Sequence, residues 1–180
     1  MNRSTSLFVL LTTLVIFISL ATSQKPSTKP YENVCRDASN EQQRCLKLLK
    51  SYPAIISAND YRTFCKLYLK MAIERSTKAQ NYLKSLTSKY PSSKALKECS
   101  TNCYDSCVGD FKSALKELVE DPLSASYDAF VAGDEPSRCD KLLADEKKVN
   151  DPSISASNDE MKFLSRIGNL AITYIQKGDM

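Results

Sequence analysis

The chain has 180 residues, 42% of them hydrophobic and 26% charged, a composition that suits about one soluble domain with a single core. Only 4 Gly and 7 Pro are present, too few for a turn-rich β-sandwich or a Gly-rich nucleotide-binding α/β fold, so a helical fold is favoured. The absence of histidine removes the Ser-His-Asp triad, the Cys-His pair, His-ligated zinc and the usual neutral-pH proton shuttle, and a formal charge of +4 with lysines interleaved among acids leaves no footprint for nucleic acid.

Arg3 precedes an apolar run from Leu7 to Leu20, followed by the small residues Ala21-Thr22-Ser23. The run is about 14 residues, too short to cross a bilayer comfortably, and reads as a secretory signal peptide, residues 1–23, cleaved before Gln24. Cleavage removes one base and no acid, lowering the formal charge to +3. The polar stretch from Gln24 to Pro30 is a loose leader. No second hydrophobic segment and no Asn-x-Ser/Thr sequon follows, so the expected product is exported, soluble and without N-glycans.

Between Tyr31 and Lys50 two short helical patterns break near Asp37-Ala38-Ser39, with Ser39 or Asn40 as the expected cap of the second. After Tyr52-Pro53, Ser57 or Asn59 is expected to cap a long helix. It carries Phe64, Leu67, Tyr68, Met71, Ala72, Ala79, Leu83 and Leu86 on one face and ends near Lys89. The next helix starts near Ser93 with the cleanest stripe in the chain: Leu96, Cys99, Cys103, Cys107, Phe111, Ala114 and Leu118. Asp121-Pro122 breaks it, a shorter apolar segment runs from Leu123 to Val131, and Gly133 with Pro136 makes the following turn. A helix through Cys139, Leu142 and Leu143 comes next. The last helix is expected to be capped by Asn158 and to bury Met161, Leu164, Ile167, Ala171, Tyr174 and Ile175. These faces bury most simply as an all-α antiparallel four-helix bundle with an N-terminal helical hairpin extension, stapled by disulfides. Whether the hairpin packs on the bundle or projects from one end is left open.

Seven cysteines in an exported chain argue for a disulfide framework rather than metal ligation or a reactive thiol, and the odd count leaves at least one unpaired. Cys35 and Cys45 are close enough to staple the arms of the hairpin. Cys99, Cys103 and Cys107 repeat at four-residue intervals on one rigid helix and are not expected to pair with one another, which makes Cys139 a natural partner for one of them. A partner for Cys65 is not found by hairpin arithmetic: it lies opposite about residue 115, some 12 Å along the axis from Cys107 at about 1.5 Å per residue.

Several elements together resemble the plant inhibitors of invertase and pectin methylesterase. They are Val34-Cys35; Arg44-Cys45-Leu46-Lys47-Leu48-Leu49 with a Leu-x-x-x-Pro stretch ending at Pro53; Ala95-Leu96-Lys97 ahead of Cys103; Ser137-Arg138-Cys139-Asp140; and Gly168-Asn169-Leu170-Ala171-Ile172. The resemblance spans nearly all of residues 24–180 as one inhibitor-like helical domain. It implies disulfides Cys35–Cys45 and Cys103–Cys139, with Cys65, Cys99 and Cys107 outside the pattern. The chain departs from the family at Tyr127-Asp128-Ala129-Phe130, where a Ser-Ala-Ala-Leu element is usual, and its connecting loop is slightly compressed.

The function this implies is a secreted, non-enzymatic inhibitor of the apoplast or cell wall. It would cover the cleft of a carbohydrate-active enzyme in a reversible 1:1 complex with no covalent step, cofactor or metal. The family's invertase-directed members carry Pro-Lys-Phe, whose nearest echo here is Met161-Lys162-Phe163 without the proline. This favours pectin methylesterase as partner, with invertase, cell-wall or vacuolar, as the alternative and a secreted helical carrier of apolar ligands as a more distant one. Without histidine, pH dependence must come from carboxylates: inhibition weakens as they ionise against an acidic cleft, and strengthens where they pair with Lys or Arg. An enzyme would use, for instance, the adjacent acids Asp134-Glu135 or Asp145-Glu146, and neighbours on an exposed turn lack the opposed geometry of an acid–base pair.

Overall fold

In the computed structural model, which describes residues 29–178, every regular element is helical. The proposed signal peptide lies outside the described residues. The first arm of the hairpin, α1 (Pro30–Asp37), starts on a proline, whose missing N–H costs nothing in the first turn. A 3₁₀ turn (Ser39–Glu41) then leads into α2 (Gln42–Lys50). The reversal uses Ser39 at φ 53°, left-handed backbone that a short polar residue tolerates, so neither Ser39 nor Asn40 caps α2. A short helix not anticipated from the pattern, α3 (Pro53–Ser57), completes the extension.

The bundle begins with α4 (Tyr61–Leu86), capped not by Ser57 or Asn59 but by Asp60, whose carboxylate accepts from the Thr63 N–H at 2.8 Å. The next helix starts where expected: Ser93 caps α5 (Lys94–Glu98), accepting from the Leu96 N–H. Cys99–Cys103 winds as a π-turn between α5 and α6 (Tyr104–Glu117), an insertion of extra backbone that a 3.6-residue pattern does not reveal. Asp121 caps α7 (Pro122–Val131) through the Ser124 N–H, with Pro122 at its first position. The turn that follows is only Ala132-Gly133. Pro136 belongs to the first turn of α8 (Asp134–Glu146) rather than to the turn itself. Gly133 is required there, since a Cβ would stand 2.8 Å from Ser165 Oγ and 3.0 Å from Ser165 Cβ.

The last helix, α9, runs unbroken from Pro152 to Gly178. Asn158 is therefore not its cap. It is a fully buried residue inside the helix, accepting from the Tyr104 hydroxyl at 2.8 Å and donating to Asp140 Oδ1 at 2.6 Å. A helical position with an amide pointing inward is satisfied by partners 54 and 18 residues away, which is why local pattern misreads it.

Four rods, α4, α5–α6, α7–α8 and α9, enclose one core that includes Phe64, Tyr68, Phe111, Phe163 and every member of the Leu96–Leu118 stripe. The Tyr68 hydroxyl donates to the Leu164 carbonyl across it. Val34, Cys35, Cys45 and Leu49 are wholly buried in that same core, so the hairpin packs along the bundle.

Candidate functional site

The cysteines form two staples of different reach. Cys35 and Cys45 are bonded across the hairpin turn, Cα–Cα 5.3 Å, at ten residues' separation. The second staple corrects the expected pairing: Cys139 is joined to Cys99 at a Cα–Cα distance of 5.1 Å, and Cys103 is a buried free thiol. Cys99 and Cys103 share the buried side of the helix, so periodicity cannot separate them. The axial offset between α5–α6 and α8 decides it, bringing Cys139 level with Cys99 and leaving Cys103 beside Glu135, one turn earlier on α8. The same seam is clamped by Arg138, which donates to Glu135 at 2.7 Å and to Glu98 at 3.1 Å. Burial pushes the Cys103 thiol up to about 11 and raises Cys65 and Cys107 as well. All three remain protonated at neutral pH and are poor nucleophiles.

Neither acidic pair is poised for catalysis. Glu135 is bound to Arg138, and Glu146 accepts from the Ser93 hydroxyl and from the Lys94 N–H at 2.9 Å, closing the N-terminus of α5. These contacts hold Glu146 below its ordinary carboxylate value, the Ser93 hydrogen bond most of all. Among the described residues no cluster of three or more Cys, Asp or Glu is arranged to hold a metal ion, and no helix is long and apolar enough to cross a membrane.

Met161-Lys162-Phe163 is not presented outward. Met161 and Phe163 are buried, and Lys162 reaches Asp140 at 2.8 Å. The Arg44 guanidinium covers the Phe163 ring at 4.2 Å from its centroid while pairing with Asp159 at 2.8 Å. Around this point the hairpin is tied to the bundle. Arg166 grips Glu41 through its Nε and Nη2, Tyr174 donates to Asp37 and stacks on Tyr61 at 4.6 Å, and Arg75 binds Glu160 and, at 2.8 Å, the Tyr52 hydroxyl. The hairpin therefore presents a fixed shape relative to the rods, as a rigid binding surface requires.

A second surface has the opposite electrostatics. Asp110 on α6 is half-buried, and its carboxyl is pushed up to about 6, first by desolvation and then by Asp128, Glu135 and Asp134. Partial desolvation followed by Asp128 and Asp121 raises Glu117 too. Composition totals conceal this clustering, because the acids converge from three helices.

The chain matches the family described as plant invertase/pectin methylesterase inhibitor over residues 30–172. Two solved structures share the fold. One is a mutant form of a pectin methylesterase inhibitor from Arabidopsis (20% identity, TM-score 0.58, 81% of this chain and 97% of that one). The other is a pectin methylesterase inhibitor from Arabidopsis thaliana (23%, TM-score 0.56, 79% and 93%). No curated protein matches the chain significantly.

Proposed function

The chain belongs to the plant invertase/pectin methylesterase inhibitor family, and we infer that it is a secreted inhibitor of pectin methylesterase. It acts without catalysis, by a reversible 1:1 complex that covers the enzyme's cleft, once residues 1–23 have been removed on export. The observation that carries this reading is the match over residues 30–172, which runs from the hairpin into the last helix of the bundle. The rest of the molecule is consistent with it. Glu135 and Glu146 are committed to an ion pair and a helix terminus, its buried thiols are protonated, and its staples and hairpin ties fix a shape. A preorganised protein surface loses little entropy on docking and needs no cofactor to block a cleft. The stripe that a carrier of apolar ligands would use as a lining is buried in the core, which disfavours that alternative.

Invertase is the competing target within the same family. The burial of Met161 and Phe163 removes the nearest echo of an invertase-directed element from the surface. The test is inhibition by the purified, oxidised mature protein of pectin methylesterase and acid invertase side by side at pH 5. Inhibition of pectin methylesterase alone is expected. Inhibition of invertase alone changes the target, and inhibition of neither overturns the reading.

A further inference from the structure

The hairpin leaves a groove where it meets the bundle. Between α2 and the rods α4 and α9 lies a hollow of about 340 Å³, with Leu48 and Phe163 as its apolar lining and Arg44, Lys47 and Arg75 as its cations. A second hollow of about 370 Å³ adjoins it, lined in part by Tyr52, Tyr82 and Lys78, and the two share Arg75 and Glu160. The joined groove therefore has four cations and a single carboxylate in its lining. Its volume falls in the range of small-molecule sites.

These cations are held in place, and their donors are not all spent. The Arg44 guanidinium rests over the Phe163 ring, and that of Arg75 over the Tyr52 ring at 5.5 Å from its centroid. A stacked guanidinium keeps its in-plane N–H groups for other partners. Arg75 spends Nε on the Tyr52 hydroxyl and Nη1 on Glu160, so its Nη2 makes no hydrogen bond among the described residues. Arg44 meets Asp159 through Nη2, while its Nη1 stands 3.8 Å from Glu41. Lys78 pairs with Glu74, which lies outside the lining. Lys47 is exposed and makes no ion pair among the described residues. The neighbouring acids Asp159, Glu74 and Glu160 weaken the long-range field, so capture here depends on donors at close range.

An apolar lining beside convergent cationic donors suits a ligand with one hydrocarbon face and a carboxylate at its edge. A uronosyl ring is such a ligand: its C–H groups form the apolar face, its carboxylate takes paired N–H donors, and its hydroxyls can donate to Ser51 and Ser157 of the lining. A neutral sugar leaves the cations unanswered, and inorganic phosphate has no face to set against Leu48 and Phe163. We propose that this groove binds de-esterified polyuronide. Consecutive uronosyl residues fill the two hollows, with Arg44 and Lys47 on the carboxylate of one and Arg75 between them. The choice of a uronide rests on the inhibitor reading given above, because pectin is a methyl-esterified polyuronide whose carboxylates the target enzyme uncovers. Binding there keeps the inhibitor on polymer already processed and raises its local concentration around the enzyme.

The experiment titrates the oxidised mature chain, K47E and K66E with trigalacturonate, its methyl ester, inorganic phosphate and a triglutamate peptide, following amide chemical shifts at pH 5. Inhibition of pectin methylesterase by the parent chain is assayed in parallel. Lys47 and Lys66 are both exposed, and Lys66 lies on α4 outside the groove's lining. Unchanged melting temperatures confirm intact folds. Trigalacturonate is expected to shift signals of α2 and of the α4 and α9 residues around Arg75 and Glu160, and its methyl ester to bind about tenfold more weakly. K47E is expected to weaken trigalacturonate binding about tenfold, and K66E less than about twofold. Equal binding of acid and ester, equal loss in the two variants, or phosphate that competes at the same concentration overturns the proposal. Triglutamate that binds as tightly makes an acidic peptide the occupant and also overturns it. Inhibition of the esterase without trigalacturonate binding overturns the groove and leaves the inhibitor reading standing. Binding with the expected discrimination but without inhibition supports the groove and overturns that reading, and the absence of both overturns both.

Discussion

The N-terminal hairpin and the α5–α8 seam are both closed by a disulfide, yet they are ordered by contacts of very different range. Cys35 and Cys45 span ten residues around a turn, whereas Cys99 and Cys139 span forty. Around the first lie an ion pair and a hydrogen bond that fix where the hairpin sits, Arg166–Glu41 and Tyr174–Asp37. Around the second lie Arg138 bridging Glu98 and Glu135, and Glu146 closing the start of α5. The difference teaches that a staple spanning one turn can be read from sequence, while a staple spanning two helices depends on how the helices are set along their axes.

The sharpest way to break this comparison is to remove one sulfur at a time. Constraint of the unfolded chain scales with the logarithm of loop length, so Cys99→Ser is expected to cost about 4 kcal/mol and Cys35→Ser about 3 kcal/mol. Cys103→Ser, which opens no bridge and changes little volume, should cost about 1 kcal/mol or less. Denaturant unfolding of the three variants ranks them, and a Cys103 variant that falls with the largest loss would restore the pairing expected from the family.

The start of α8 depends as well on a close approach to α9. A methyl at Gly133 would press on Ser165, whose hydroxyl donates to the Phe130 carbonyl at 2.6 Å. Gly133→Ala should therefore destabilise by about 2 kcal/mol despite the better helix propensity of alanine. Thermal unfolding checks this, and a stabilised variant would mean that α8 and α9 can part at no cost.

A further effect concerns charge. The Asp110 carboxyl, raised to about 6 in the folded chain by burial and by Asp128, Glu135 and Asp134, holds its proton more tightly than in the unfolded chain. Stability from this group is therefore greatest in acid, falls as pH rises from about 4 to about 6 and is level above that. Asp110→Asn should stabilise by on the order of 1–2 kcal/mol at pH 7, after allowance for partial exposure, and by nothing at pH 4. Melting curves of the two proteins across that range should converge toward acid, and parallel curves would show that Asp110 does not feel the other carboxylates.

Much of the bundle was legible because its signals are local. A helix start near Ser93, Asp121-Pro122 as a break and the Leu96–Leu118 stripe as a buried face all follow from side-chain chemistry within a turn or two. Asn158 and Pro136 were misread for a common reason: a capping-type residue and a turn-type residue were given their local preference, and tertiary partners or helix position overrode it. The outer face of α7 was only half legible. Tyr127-Asp128-Ala129-Phe130 stood out as a departure, but nothing in the order of residues says that small side chains face in and large ones out.

Taken alone, the order of residues determined an all-helical chain, the positions of most helices, the Cys35–Cys45 staple and the resemblance that led to an inhibitor. Each rests on periodicity, capping or proximity along the chain, which act over a few residues. Only the tertiary structure decided which cysteine meets Cys139, where the hairpin lies, how carboxylates from α6, α7 and α8 gather around Asp110 and which side of α7 meets water. Those outcomes depend on the axial offset and rotation of packed helices, and these are fixed by the whole core at once.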